Sequence, residues 1–126
     1  MSHTVLIVDD SKLARLVVTK ALTALRPDWT RVEAANAEEA RAAMAGHRID
    51  VALLDFNMPG IDGLELAAEL RASHPTMPIA VITANIQDEI VARAREVNAA
   101  FLPKPITQDA LSGFLAGAAL RLRSGT

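Results

Sequence analysis

A chain of 126 residues has room for one domain with a sizeable core, and at 51% hydrophobic but only 3% aromatic that core must be aliphatic and alanine-rich. The formal net charge of -2 argues against a nucleic-acid-binding domain, whose footprint is strongly basic, and the absence of cysteine excludes a disulfide framework and thiol chemistry. No apolar run approaches membrane-spanning length, the start Met1-Ser2-His3-Thr4 carries no signal pattern, and no repeat, linker or low-complexity segment stands out.

The first element is the apolar run Val5-Leu6-Ile7-Val8, read as a buried strand that delivers Asp9 and Asp10. Asp10-Ser11 then caps a helix over about Lys12 to Leu25, with Leu13, Leu16, Val17, Ala24 and Leu25 expected to face the core and Pro27 ending it. Trp29 is expected to pack over the far end of the sheet. Thr30-Arg31-Val32-Glu33-Ala34 alternates polar and apolar, the pattern of an edge strand. Asn36-Ala37-Glu38-Glu39 reads as a capping box for a short helix buried through Ala40 and Met44 and closed by Gly46.

The stretch Val51-Ala52-Leu53-Leu54 predicts a central strand that runs into Asp55 and then a loop punctuated by Pro59, Gly60 and Gly63. Asp62 with Glu65 forms a second capping box, so Asp62 is read as a cap and not as a further acid of the site. The helix behind it carries Leu66 and Leu70 and stops at Ser73-His74-Pro75. Ile79-Ala80-Val81-Ile82 delivers Thr83. The next helix has Ile86, Ile90 and Val97 on one side, while Gln87, Glu89, Arg93, Arg95 and Glu96 form a solvated face. A short run, Ala99 to Leu102, leads into Pro103-Lys104-Pro105. The last helix spans about Thr107 to Leu122: Leu111, Phe114, Leu115, Ala118 and Leu122 face the sheet, and Gly113, Gly117 and Leu120 lie on the far side, which reads either as a frayed, weakly selected terminal helix or as a shallow groove for a partner helix or a second copy.

Strands alternating with helices across short connections predict right-handed βαβ units and a parallel sheet of about five strands in the order 2-1-3-4-5. In such a sheet ligands bind outside the carboxyl ends of the strands. Asp9, Asp10 and Asp55 would converge there, which is costly without a positive charge among them. Two candidates exist: a hard divalent cation held by oxygen, of which magnesium is the natural choice, and Lys104. With the Thr83 hydroxyl these groups make a phosphoryl-transfer constellation. Singly, Asp55 would be a strand terminator, Lys104 a surface lysine and Thr83 a β-former. His3, His47 and His74 have no metal-ligand spacing.

The series Asp9-Asp10, Asp55, Thr83, Lys104-Pro105 resembles the receiver domain of bacterial two-component response regulators, the chemotaxis response regulator among them, over essentially the whole chain, 1–126. The resemblance implies an α/β, flavodoxin-like, doubly wound single domain. It implies phosphorylation of Asp55 by a sensor histidine kinase or phosphotransfer protein, with Mg2+ held by Asp9, Asp10, Asp55 and the Asn57 backbone carbonyl. Thr83 and Lys104 would bind phosphoryl oxygens, Phe101 stands where the family carries its switch aromatic, Asn57 and Asn85 tune phosphoryl lifetime, and Pro105 is a candidate cis-proline. Phenylalanine in place of the frequent tyrosine cannot hydrogen-bond in either position of a switch. The family further implies a cytoplasmic protein that catalyses only its own phosphorylation and dephosphorylation. Its output would pass to a target protein through the last two helices and last strand, with a phosphorylation-dependent homodimer as one form of that contact.

Rival readings fit less well. A haloacid-dehalogenase-like phosphatase needs a second aspartate where Asn57 stands, and a flavin or nucleotide binder needs a Gly- or Ser/Thr-rich loop where Asp9-Asp10 would repel phosphate. A binding-only receiver would be expected to lack an acid or the lysine. A domain excised from a larger regulator remains open, although the lack of a charged linker after Leu122 leans toward a stand-alone regulator.

Overall fold

In the computed structural model, which describes residues 3–84 and 87–124, strands and helices alternate. The order is β1 (Thr4–Val8), α1 (Lys12–Leu25), β2 (Thr30–Ala34), α2 (Ala37–Gly46), β3 (Val51–Asp55), α3 (Gly63–Ser73), β4 (Ile79–Thr83), α4 (Asp88–Glu96), β5 (Ala100–Pro103) and α5 (Gln108–Ser124). All strand pairs are parallel, in the order β2-β1-β3-β4-β5 expected from the sequence. Parallel neighbours cannot be joined by a tight turn, and α1 to α4 serve as the crossovers that parallel pairing requires, while α5 follows the last strand.

Successive side chains on a strand point to opposite faces, and this alternation sorts the sheet into two cores. Leu6, Val8, Ala52, Leu54, Ile79 and Val81 pack with α2, α3 and α4. Val5, Ile7, Val51, Leu53, Ala80 and Ile82 pack with α1 and α5. The same alternation at the carboxyl ends puts Asp55 in phase with the α1 and α5 face. Thr83 is in phase with the other face, where Phe101 packs against the α2–α4 core.

The helix α1 is turned away from its expected orientation. Val18, Thr19 and Leu22 are buried, whereas Leu13, Leu16 and Val17 are 70%, 46% and 49% exposed and Ala24 is exposed. Apolar residues occupy nearly every side of this helix, so a helical period allows more than one stripe. The Ser11 cap sets the phase, its side chain accepting from Ala14 N at 3.2 Å. At α2 the Asn36 side chain accepts from Glu39 N, but the Glu39 carboxylate accepts from Ala35 N, one residue before the cap, so the reciprocal bond of a capping box is absent. The Asp62–Glu65 box is complete. Trp29 is buried at the amino ends of the strands, edge-on to His3 at 5.0 Å, with the Arg26 guanidinium over its ring.

Two arginines tie α3 to α4 and the following loop. Arg93, expected on a solvated face, reaches both oxygens of Asp62 at 3.1 Å. Arg71 donates to three carbonyls, those of Val97, His74 and Asn98, at 2.9, 3.0 and 3.0 Å. Of the expected inner face of α4, Ile90 is buried and Val97 half-buried, while Ile86 lies outside the described residues. On α5, Leu111, Leu115 and Ala118 are buried and Phe114 and Leu122 half-buried, while Gly113, Gly117 and Leu120 face outward as expected.

The start of α3 presses on the end of β3. Gly63 N donates to Phe56 O at 2.9 Å, and a Cβ at Gly63 would stand 2.3 Å from the Asp55 carbonyl oxygen and 2.9 Å from Phe56 Cα. Gly63→Ala is therefore expected to lower stability by about 1–3 kcal/mol, the usual scale of overpacking. A Cβ at Gly113 meets nothing within 4 Å, so Gly113→Ala should raise stability by about 1 kcal/mol through helix propensity alone. Urea melts of the two variants check the contrast, and equal midpoints would refute the close approach at Gly63.

Candidate functional site

The carboxyl ends of β1 and β3 lie side by side, and each ends in a carboxylate for which the strand supplies burial. Asp9 is 5% exposed, Asp55 3%, and Asp10 is exposed. One carboxylate oxygen from each of the three lies within 4.8 Å of the others. The third and fourth strand ends close the group. Thr83 ends β4 and is 1% exposed; Phe56 N donates to Ile82 O at 2.9 Å and Lys104 N to Thr83 O at 2.9 Å, which lock the neighbouring loops to β4. The Lys104 ammonium then reaches inward, 2.6 Å from Asp55 Oδ1 and 3.9 Å from Asp9 Oδ2. The Lys104–Pro105 peptide bond is cis. Although the Lys104 contact is short, it falls outside hydrogen-bond geometry, so the buried Asp55 Oδ1 has charge compensation without a directed donor.

The loop from β1 to α1 is held at several atoms. Asp9 N donates to Ala34 O on β2 at 3.1 Å, and Ser11 N donates to Asp9 Oδ1 at 2.9 Å. The Asp9 carbonyl accepts from Arg15 Nη1, and Arg15 Nε donates to Glu33 Oε1 at 3.0 Å. Sequence reasoning passed over Arg15. Its signal was its place one turn past the cap, with Glu33 one residue before the end of a strand that neighbours β1.

The other expected residues are placed less centrally. Asn57 is exposed in the loop after β3. Phe101 is half-buried beside Val81, its register partner. Asn85 lies outside the described residues. Asp62 caps α3 and holds Arg93, so it stands apart from the acidic group in role.

Comparison with known proteins points in one direction. A family model described as the response regulator receiver domain matches residues 5–116. The chain is similar to the DNA-binding transcriptional regulator NtrC of Salmonella typhimurium, 36% identical over 104 residues that cover 82% of this chain and 22% of that protein. It is 39% identical over 112 residues to the positive alginate biosynthesis regulatory protein of Pseudomonas aeruginosa, covering 86% of this chain and 44% of the relative. The chain thus spans about a fifth to under half of the length of these relatives. Among solved structures, the chemotaxis protein CheY4 of Vibrio cholerae superposes with a TM-score of 0.84 at 29% identity, covering 94% of this chain and 99% of that one.

The electrostatics of the group leave a role for a further positive charge. Burial raises the pKa of Asp9; the Ser11 amide opposes this, the Asp55 carboxylate adds to it, Lys104 opposes it and Asp10 adds to it. One ammonium thus faces three carboxylates whose oxygens all converge, a donor set of hard oxygens suited to a small divalent cation. A carboxyl group whose folded pKa is raised is one whose ionisation the fold opposes. Stability from it is fully present below the ordinary aspartate value and is lost as pH rises from there through the folded value. Asp9→Asn removes that penalty while keeping an oxygen for Ser11 N. In cation-free buffer near pH 7 the variant should melt above wild type. The difference should close as pH falls below the ordinary aspartate value of about 3.9, and added magnesium should raise the wild-type melting temperature more than the variant's. Melting curves over pH, with and without magnesium, check this; a variant that melts lower at neutral pH without cation contradicts it.

Proposed function

The chain belongs to the response regulator receiver domain family, whose members signal through phosphorylation, and from that premise we propose that Asp55 is its phosphoacceptor. What carries the reading is the buried Asp55 carboxylate with Lys104 Nζ at 2.6 Å and two further carboxylates within 4.8 Å. In the transfer, an Asp55 oxygen attacks the phosphorus of a phosphohistidine, the P–N bond breaks, and the imidazole leaves as an acyl phosphate forms. Lys104 holds one phosphoryl oxygen and the Thr83 hydroxyl donates to another. Asp9, Asp10, Asp55 and the Asn57 carbonyl hold Mg2+, which neutralises charge on the transferring group. Asn57 and Asn85 set how readily water reaches the acyl phosphate. Thr83 and Phe101 share one face of the sheet, so a shift of the Thr83 hydroxyl toward the phosphoryl group opens space for the ring on the α4 side.

In this reading residues 1–126 form one cytoplasmic receiver domain that catalyses only its own phosphorylation and dephosphorylation, and its partners are proteins, not nucleic acid or membrane. The phosphodonor is a sensor histidine kinase or phosphotransfer protein. Its landing surface is the outward face of α1. Leu13, Leu16 and Val17 are exposed there beside a cavity of about 420 Å³ lined by Ala14, Val18, Ile82, Pro105 and Ile106, with Asp9 and Lys104 at its polar end. An apolar surface that borders the phosphoacceptor suits a protein that must bring a histidine to it. The output target docks on α4, β5 and α5, where a phosphorylation-dependent homodimer is one form of the contact.

A small-molecule phosphodonor with magnesium should add one phosphoryl group to the wild type and none to Asp55→Asn, read by intact mass; equal labelling of both would sink the assignment. Replacing Leu13 and Leu16 together by serine should leave that labelling unchanged. Transfer from a phosphohistidine protein that labels the wild type should fall at least about tenfold, a loss of roughly 1.4 kcal/mol of docking. A double variant that accepts from both donors at wild-type rates would place the donor elsewhere.

A further inference from the structure

Arg15 has no part in the proposed chemistry, yet among the described residues it is the one side chain from outside the β1–α1 loop seen to hold that loop's main chain. It stands one turn past Ser11, largely buried, and forks between two elements: Nη1 donates to the Asp9 carbonyl, and Nε donates to Glu33 Oε1 on β2 at 3.0 Å. The Asp9 carbonyl belongs to the peptide that joins the two acidic residues. A peptide unit is planar, so a donor that fixes its oxygen also fixes the direction in which Asp10 leaves. Asp9 has three further anchors of its own, in its amide, its burial and the Ser11 amide on its carboxylate. Asp10 is exposed and is aimed at the group through that peptide.

The charge on Arg15 makes its presence here informative. A guanidinium bonded to the main chain of one acid would repel a cation held by these acids unless something cancelled it. Glu33 does so, and it also fixes the orientation of the fork. We propose that Arg15, neutralised by Glu33, is a positioning residue for the cation site, holding the Asp9–Asp10 peptide so that the Asp10 carboxylate meets those of Asp9 and Asp55. This rests on the reading of the acidic group as a Mg2+ site. The two members of the pair then act differently. Arg15 acts through geometry, which a lysine with no fork reproduces poorly. Glu33 acts through charge, which salt screens.

Magnesium titration by calorimetry separates these roles, with circular dichroism confirming that each variant is folded at the temperature used. Arg15→Met should weaken Mg2+ binding by about 10-fold or more, the usual effect of losing a residue that orients a ligand, and Arg15→Lys should recover only part of this. Glu33→Gln keeps an acceptor for Nε but leaves the guanidinium charge uncancelled. It should weaken binding in dilute buffer, with most of the deficit gone at about 0.5 M salt, where the screening length is only a few ångströms. A purely structural Arg15 would lower the melting temperature of its variants and leave their Kd at the wild-type value, and that result overturns the proposal. Salt-independent weakening in Glu33→Gln overturns the charge half of it. Asp10→Ala serves as the non-binding control, and a wild type that binds no magnesium would instead remove the cation site on which the proposal stands.

Discussion

The molecule is built around a repulsion that the sheet enforces and a lysine only partly relieves. Three carboxylates at the ends of adjacent parallel strands would move apart if they could. They cannot, because β1 and β3 are paired along their length and buried on both faces. The compensating ammonium arrives from the loop after β5, two strands from β3, and is held there by the main-chain bond from Lys104 to Thr83. Every part of the site thus lies at or just beyond a strand end, and the strand order decides which ends meet. Charge left uncompensated at this position is potential energy held by packing, and a bound cation would offset it without rebuilding the core.

Much of this could be read from the residues alone, for a physical reason. Four-residue apolar runs such as Val51 to Leu54 have one comfortable place in a small α/β domain, the buried middle of a parallel sheet, and the residue after such a run must lie at the strand's carboxyl end. Asp9, Asp55, Thr83 and Lys104 each sit at or just beyond that point in the chain, so their convergence is settled once the strand order is known. The Asp62–Glu65 box was equally legible, being a local pattern completed within one turn.

The features that could not be read depend on contacts between distant segments or on a choice between near-equal options. The orientation of α1 is of the second kind: Leu13, Leu16 and Val17 make as good an inner stripe as Val18 and Leu22, and the cap and the loop before it decide. The arginines are of the first kind. Arg15, Arg71 and Arg93 reach partners 18, 26 or 27, and 31 residues away, and a long side chain with a charged tip looks the same in sequence whether solvated or bound. Gly63 showed itself as a turn residue, but its contact with the Asp55 carbonyl belongs to three-dimensional packing.

The Arg71 clamp has a consequence for how such a surface can diversify. All three of its acceptors are main-chain carbonyls, so the clamp is blind to the side chains at His74, Val97 and Asn98. The segment between α4 and β5 can therefore exchange its surface chemistry, acquiring charge, bulk or polarity, while its path across the end of α3 stays the same. The limits on that freedom are the packing of Val97 and Ala99 against the core and the backbone conformation. Asn98 has φ 54°, a left-handed geometry that asparagine and glycine accept far more readily than branched residues. A single guanidinium thus holds the path of this stretch through backbone shape, leaving the exposed Asn98 side chain outside the clamp while Val97 and Ala99 are held by the core.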